Sequence, residues 1–225
     1  MVKVRKGKGV KVQGELLREP RVILVANFKG GVGKSSVAAN LACYFAELGE
    51  TEAVDLDILQ GDLERFCKRR GIVCSRVDSP DHLVDHVQGL VRSGRSVILD
   101  SPPGESVLTR AACLMADAVV MPVRPGANDA AAIGRLMDMV AEIRVARNDL
   151  KVFSLCNFYS TTTEARLMSE ILQQMSNSTF LGKLWTRKDY SSSIGNGVPV
   201  WEYAAGRPAA DEMRALCGAL ERLVQ

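Results

Sequence analysis

No apolar run in the 225 residues approaches the ~20 needed to cross a bilayer, so a membrane-spanning chain is not expected. The N-terminus is basic, but no apolar h-region follows it, and a secretory signal peptide is not expected either. The six cysteines (Cys43, Cys67, Cys74, Cys113, Cys156 and Cys217) include no CxxC pair. Free thiols in a reducing cytosol are therefore expected, with neither a disulfide framework nor a cysteine-held metal cluster. Only two histidines are present, His82 and His86. Their i,i+4 spacing on a helix is compatible with a metal, but the flanking Asp81 and Asp85 favour a solvated helical face. Internal repeats and low-complexity tracts are lacking, and no interdomain linker follows the N-terminal leader.

What is present suits one globular domain. Hydrophobic residues make up 47% and charged residues 24%, and the length allows a sizeable core. The net charge of +3 is unevenly spread. Residues 1–21 carry seven basic groups (Lys3, Arg5, Lys6, Lys8, Lys11, Arg18 and Arg21) against Glu15 and Glu19, which leaves the remainder slightly acidic. The expected layout is a basic leader over 1–20 and a single domain over 21–225.

Short apolar runs alternate with amphipathic stretches. Strands are expected at Val22–Asn27, Glu52–Asp57, Ser96–Asp100, Ala118–Val123, Val152–Asn157 and Phe180–Trp185. Helices are expected over 34–48, 128–146 and 209–224, where apolar residues recur at helical spacing. The strands are continuous apolar runs, as in a parallel sheet covered on both faces. The expected fold is α/β, a doubly wound, mostly parallel sheet with its ligand at the C-terminal strand ends.

The segment Lys29-Gly30-Gly31-Val32-Gly33-Lys34-Ser35-Ser36 follows the first strand and opens the first helix. Glycines in that position let backbone N–H groups turn inward, and the helix N-terminus adds partial positive charge. The spacing is that of a P-loop, a phosphate cradle in which Lys34 reaches the outer phosphates and the Ser35 hydroxyl holds Mg²⁺. Lys29 is an extra lysine that phosphate binding alone does not require. Asp100 ends the apolar strand Val97-Ile98-Leu99 ahead of Ser101-Pro102-Pro103-Gly104, where an acid would support the metal. Asp55 and Asp57 fall on one side of an extended chain. Asp57, nearer the strand tip, is the candidate for orienting an attacking water, and Asp55 for a supporting acid.

Together these segments resemble the ParA/MinD family of deviant Walker A ATPases, most of all its small partition proteins. The family's KGGxGK[ST][ST] pattern runs from Lys29 to Ser36, its D-x-D-x-x-Q-G segment from Asp55 to Gly61, and its D-x-P-P segment from Asp100 to Pro103. Ser35-Ser36 stands where the family often has two threonines, which retains the hydroxyl. Leu155-Cys156-Asn157 looks like the family's adenine-contacting asparagine, and the segment around Pro122 like the strand end flanking the base.

The resemblance implies a slow, Mg²⁺-dependent ATP hydrolase whose cofactors are ATP/ADP and Mg²⁺. Residues Gly30 to Ser36 would cradle the nucleotide, and Lys29 would reach across an ATP-dependent homodimer to the partner's phosphates. It further implies nonspecific DNA binding, a small centromere-binding (ParB-like) protein that stimulates hydrolysis, and a cytoplasmic, nucleoid-associated protein that partitions plasmid or chromosomal DNA. The absence of paired cysteines argues against the family's metal-cluster carriers. The apolar stripe over 211–225 carries only Arg214 and Arg222 as bases against Asp211, Glu212 and Glu221, so a core-packing terminal helix is the expected reading, and a membrane-cycling regulator of the MinD kind is kept as the alternative, beside an ATP-gated scaffold for conjugation or cargo positioning. The leader from Lys3 to Lys11 is a candidate for DNA or partner contact, although basic tails are commonly just solvated.

Overall fold

The computed structural model of the chain describes residues 19–126 and 129–225. Of the basic leader, only Glu19 and Pro20 fall within the described residues. The elements run β1 Val22–Val25, α1 Lys34–Leu48, β2 Thr51–Asp55, α2 Asp62–Arg70, β3 Cys74–Arg76, α3 Pro80–Arg92, β4 Ser96–Asp100 and α4 Val107–Met115. They continue with β5 Ala118–Val123, α5 Asp129–Ala146, β6 Lys151–Tyr159, α6 Thr163–Gln174, β7 Thr179–Trp185, α7 Lys188–Asn196, α8 Val200–Tyr203 and α9 Pro208–Val224.

The helix starts have local causes. Ser79, Ser106 and Thr162 each accept a backbone N–H from the first turn of α3, α4 and α6. Helix α2 has Asp62 and Glu64 in its first turn, Lys68, Arg69 and Arg70 in its last, and Gly71 in the left-handed region as a stop.

All pairings are parallel, and the strand order is β3-β2-β4-β1-β5-β6-β7. The first half of the chain winds to one side of β1 and the second half to the other, so the crevice where the order reverses lies beyond the end of β1. Strand β3 was not expected. It has three residues with no apolar run and pairs only with β2 at the sheet edge.

Alternation along the central strands divides the core in two. Val22, Leu24, Val97 and Leu99 face α3, α4, α5 and α6, while Ile23, Val25, Ala53 and Ile98 face α1, α2 and α9. That parity places Asp55 and Asp100 on the α1 side, level with each other and beside Val25. Helix α9 buries Met213, Leu216, Leu220 and Val224 and is tied to α1 by the Tyr44 hydroxyl, which donates to Glu221 at 2.7 Å. Among the described residues no helix is long and apolar enough to cross a membrane, and all six cysteines are free thiols.

Candidate active site

The loop between β1 and α1 is braced from both sides by asparagines. Asn27 Nδ2 donates to the Pro122 carbonyl at 2.9 Å, and its Oδ1 accepts the Lys29 N–H at 2.9 Å. Asn157 Nδ2 donates to the Val32 carbonyl at 2.8 Å. Gly31 and Gly33 have φ of 71° and 90°, and a Cβ on Gly33 would collide with the Asn157 amide. Glycine at 33 is thus required twice, by conformation and by space.

Helix α1 begins on this loop with no side-chain cap, unlike α3, α4 and α6, and with no acid in its first turn. Its first N–H groups are left for an anion. Lys34 is buried here, and its Nζ donates to the Lys29 carbonyl at 3.2 Å. Burial lowers its pKa, while Asp100 and Asp57 oppose that shift.

Asp100 is fully buried, and neither carboxyl oxygen completes a hydrogen bond. Burial pushes its pKa up to about 8; the facing Ser35 hydroxyl opposes the rise and the nearby Asp55 adds to it. A buried carboxyl without partners is costly unless something positive shares its pocket. A carboxylate and a hydroxyl side by side are the oxygen donors a hard divalent cation takes, and here they sit beside a phosphate cradle.

Asp57 is buried, and its Oδ1 accepts the Gln60 N–H at 3.1 Å. Asp55 accepts the N–H groups of Asp57 at 2.9 Å and Glu64 at 3.0 Å, so both its oxygens hold the loop into α2 in place. Arg65 donates to the Gln60 carbonyl and Arg76, delivered by β3, to the Ile58 carbonyl. The acid that braces and the acid that faces the cleft are therefore different residues.

Gly30, Gly31, Gly33, Lys34, Ser35, Ser36, Asp57, Gln60, Asp62 and Pro103 line one cleft of about 140 Å³. A larger cavity of about 440 Å³ opens at the opposite end of β6 and β7, but the guanidinium of Arg144 that borders it is occupied by the Leu150 and Asn177 carbonyls. Pro122 accepts the Asn27 amide through its carbonyl oxygen, which ties the end of β5 to the loop. Sequence reasoning did not single out Asn27, Asp62 or Phe158, and it named Gln60 only as part of the segment from Asp55 to Gly61. Asn27 had a signal, a polar residue between an apolar strand and the loop, whereas nothing local marked Phe158. His86 is only half-exposed, with its Nε2 3.0 Å from Glu52 Oε1. Among the described residues no cluster of three or more His, Cys, Asp or Glu is placed to hold a metal.

A parallel sheet with a glycine loop at its switch point, an uncapped helix start and a buried lysine beside an orphaned carboxyl defines a P-loop nucleotide-binding domain. Residues 23–200 match the CobQ/CobB/MinD/ParA nucleotide binding domain, and the chain belongs to that family. Across 203 residues, 86% of this chain and 93% of the relative, it is 26% identical to maintenance of carboxysome distribution protein A of Halothiobacillus neapolitanus. Its fold resembles a plasmid partition protein of Borrelia burgdorferi B31 bound to AMPPNP, with a TM-score of 0.74, 17% identity and coverage of 91% and 99% of the two chains. It also resembles the septum site-determining protein MinD of Pyrococcus horikoshii complexed with Mg-ADP, with a TM-score of 0.70, 17% identity and coverage of 91% and 97%.

Proposed function

We propose that this chain is an ATP-hydrolysing positioning switch that dimerises around ATP, binds DNA nonspecifically in that state, and partitions or positions DNA. The observation that carries the reading is the cleft itself, where the uncapped start of α1, the buried Lys34 and the partnerless Asp100 meet. Lys34 neutralises the outer phosphates, and backbone N–H groups from Gly30 to Ser36 cradle them. Ser35 and Asp100 would hold Mg²⁺, whose contribution when bound is to offset charge on the phosphates. Asp57 orients the attacking water from the rim. Asn157 contacts adenine, and its amide keeps one N–H and one lone pair for that purpose after bracing Val32.

Lys29 has a distinct part. Its backbone is held at both ends, the N–H by Asn27 and the carbonyl by the Lys34 ammonium. Triphosphate charge gathered between two subunits would repel them, and a lysine from each side offsets it. ATP then joins the dimer, and hydrolysis, stimulated by a small centromere-binding partner, loosens it.

A second reading is positioning of a protein cargo rather than DNA, and the carboxysome distribution relative favours it. Both readings use the same switch. The test is a DNA mobility shift with ATP, ADP and no nucleotide at several salt concentrations. ATP-dependent retention that weakens steeply with salt supports the DNA-bound switch. No retention in any state, with ATP-dependent binding to anionic vesicles instead, refutes it in favour of a membrane-cycling regulator.

A further inference from the structure

The cleft of about 140 Å³ is lined by the phosphate loop and by neither Asn157 nor Phe158, so a base that Asn157 contacts would lie beyond it. Past Gly33, the neighbouring side chain is Phe158, whose ring edge would lie 3.5 Å from a Cβ on that glycine. Among the described residues Phe158 is the one non-glycine with positive φ, 55°. A bulky side chain is unfavourable there and persists only where its surroundings over-determine it. Here Asn157 does so: its Oδ1 accepts the Phe158 N–H at 3.0 Å while its amide is held by Val32. The register of β6 against β7 also slips between Cys156 and Tyr159. The result is a ring 37% exposed between two buried residues, Asn157 and Tyr159, with the Arg124 guanidinium 5.1 Å from its centroid.

We propose that the Phe158 ring is the stacking platform for the purine base of the nucleotide, with Arg124 covering it when no nucleotide is bound. The proposal rests on the nucleotide reading of the cleft and adds a residue that the sequence pattern did not single out. The strained backbone is what turns an aromatic side chain of an interior strand out toward the phosphate loop. Every base has a π-face, so a platform of this kind adds affinity without choosing between bases. Choice is left to the hydrogen-bonding edge of Asn157.

Calorimetric titration of the full chain with Mg-ATP, Mg-GTP and Mg-tripolyphosphate tests this, using wild type, Phe158→Gly and Phe158→Leu. Glycine is at home at this φ, so Phe158→Gly should fold with an unchanged or higher Tm. It should bind ATP and GTP each about tenfold more weakly and tripolyphosphate as wild type does. Phe158→Leu, apolar but without a π-face, should also lose ATP affinity. Unchanged ATP affinity in Phe158→Gly overturns the proposal. So does an equal loss for tripolyphosphate, which would make Phe158 a brace of the loop. Wild type that binds tripolyphosphate as tightly as ATP overturns the platform and leaves the phosphate site standing. Wild type that binds neither overturns the phosphate site and the platform with it.

Discussion

Replacing Asp100 with asparagine should make the ligand-free protein more stable at alkaline pH while weakening its response to Mg²⁺-bound nucleotide. In the folded protein burial raises this carboxyl from an ordinary 3.8 to about 8. Between those values the folded state holds a proton that the unfolded state has released. Stability from the protonated carboxyl is therefore complete below pH 3.8 and is lost progressively as pH rises toward 8. About four units at ~1.4 kcal/mol each set an upper bound of roughly 6 kcal/mol on the cost of ionised Asp100. For a chain of this size that is on the order of 10 °C in Tm. Asp100→Asn keeps the shape and removes the charge. The assay is thermal unfolding of wild type and Asp100→Asn from pH 5 to 9, with and without Mg-ADP. The difference between the two isolates Asp100 from the other groups that titrate. Without ligand, the variant's advantage over wild type should be smallest at pH 5 and grow steadily toward pH 8–9. With Mg-ADP, wild type should recover at high pH and the variant should gain less. A wild-type-minus-variant difference that stays flat across this range would refute the buried-carboxyl argument. A variant as strongly stabilised by Mg-ADP as wild type would remove Asp100 from the cation site.

Asp57→Ala should keep ATP-dependent dimers in light scattering while slowing phosphate release by about 10²–10⁴-fold; normal turnover would take Asp57 out of its role. Lys29→Gln should bind ATP as a monomer, and a variant that dimerises and hydrolyses normally would end the case for action across the interface. Asn40 is buried, donates to the Ser36 carbonyl at 2.8 Å and accepts the Val200 N–H at 2.9 Å, joining α1 to α8. Asn40→Ala strands that buried N–H, and urea unfolding should show a loss of about 1–3 kcal/mol.

Much of the cleft was legible in the sequence because its parts are local. A glycine loop between a strand and a helix is one contiguous segment, and an acid at the tip of an apolar run is visible as such. The sequence by itself pointed to the α/β class with a mostly parallel sheet, since continuous apolar strands alternating with helices are what a sheet covered on both faces requires. It also placed Lys34, Ser35 and Asp100 at strand and helix ends that a doubly wound sheet must bring together.

Only the tertiary structure decided the rest. Strand β3, too short and polar to read, exists because β2 offers it a ladder, and it carries Arg76 to the loop beyond Asp57. The separate parts of Asp55 and Asp57 follow from which backbone N–H groups each carboxylate meets, which a spacing of two cannot show. Asn27 and Asn157 become braces through carbonyls 95 and 125 residues away. Phe158 turns outward through a backbone angle that no pattern encodes. Sequence periodicity reports which face of an element is apolar. What a polar group meets once it is buried depends on its neighbours in space, and those are set only when the sheet closes.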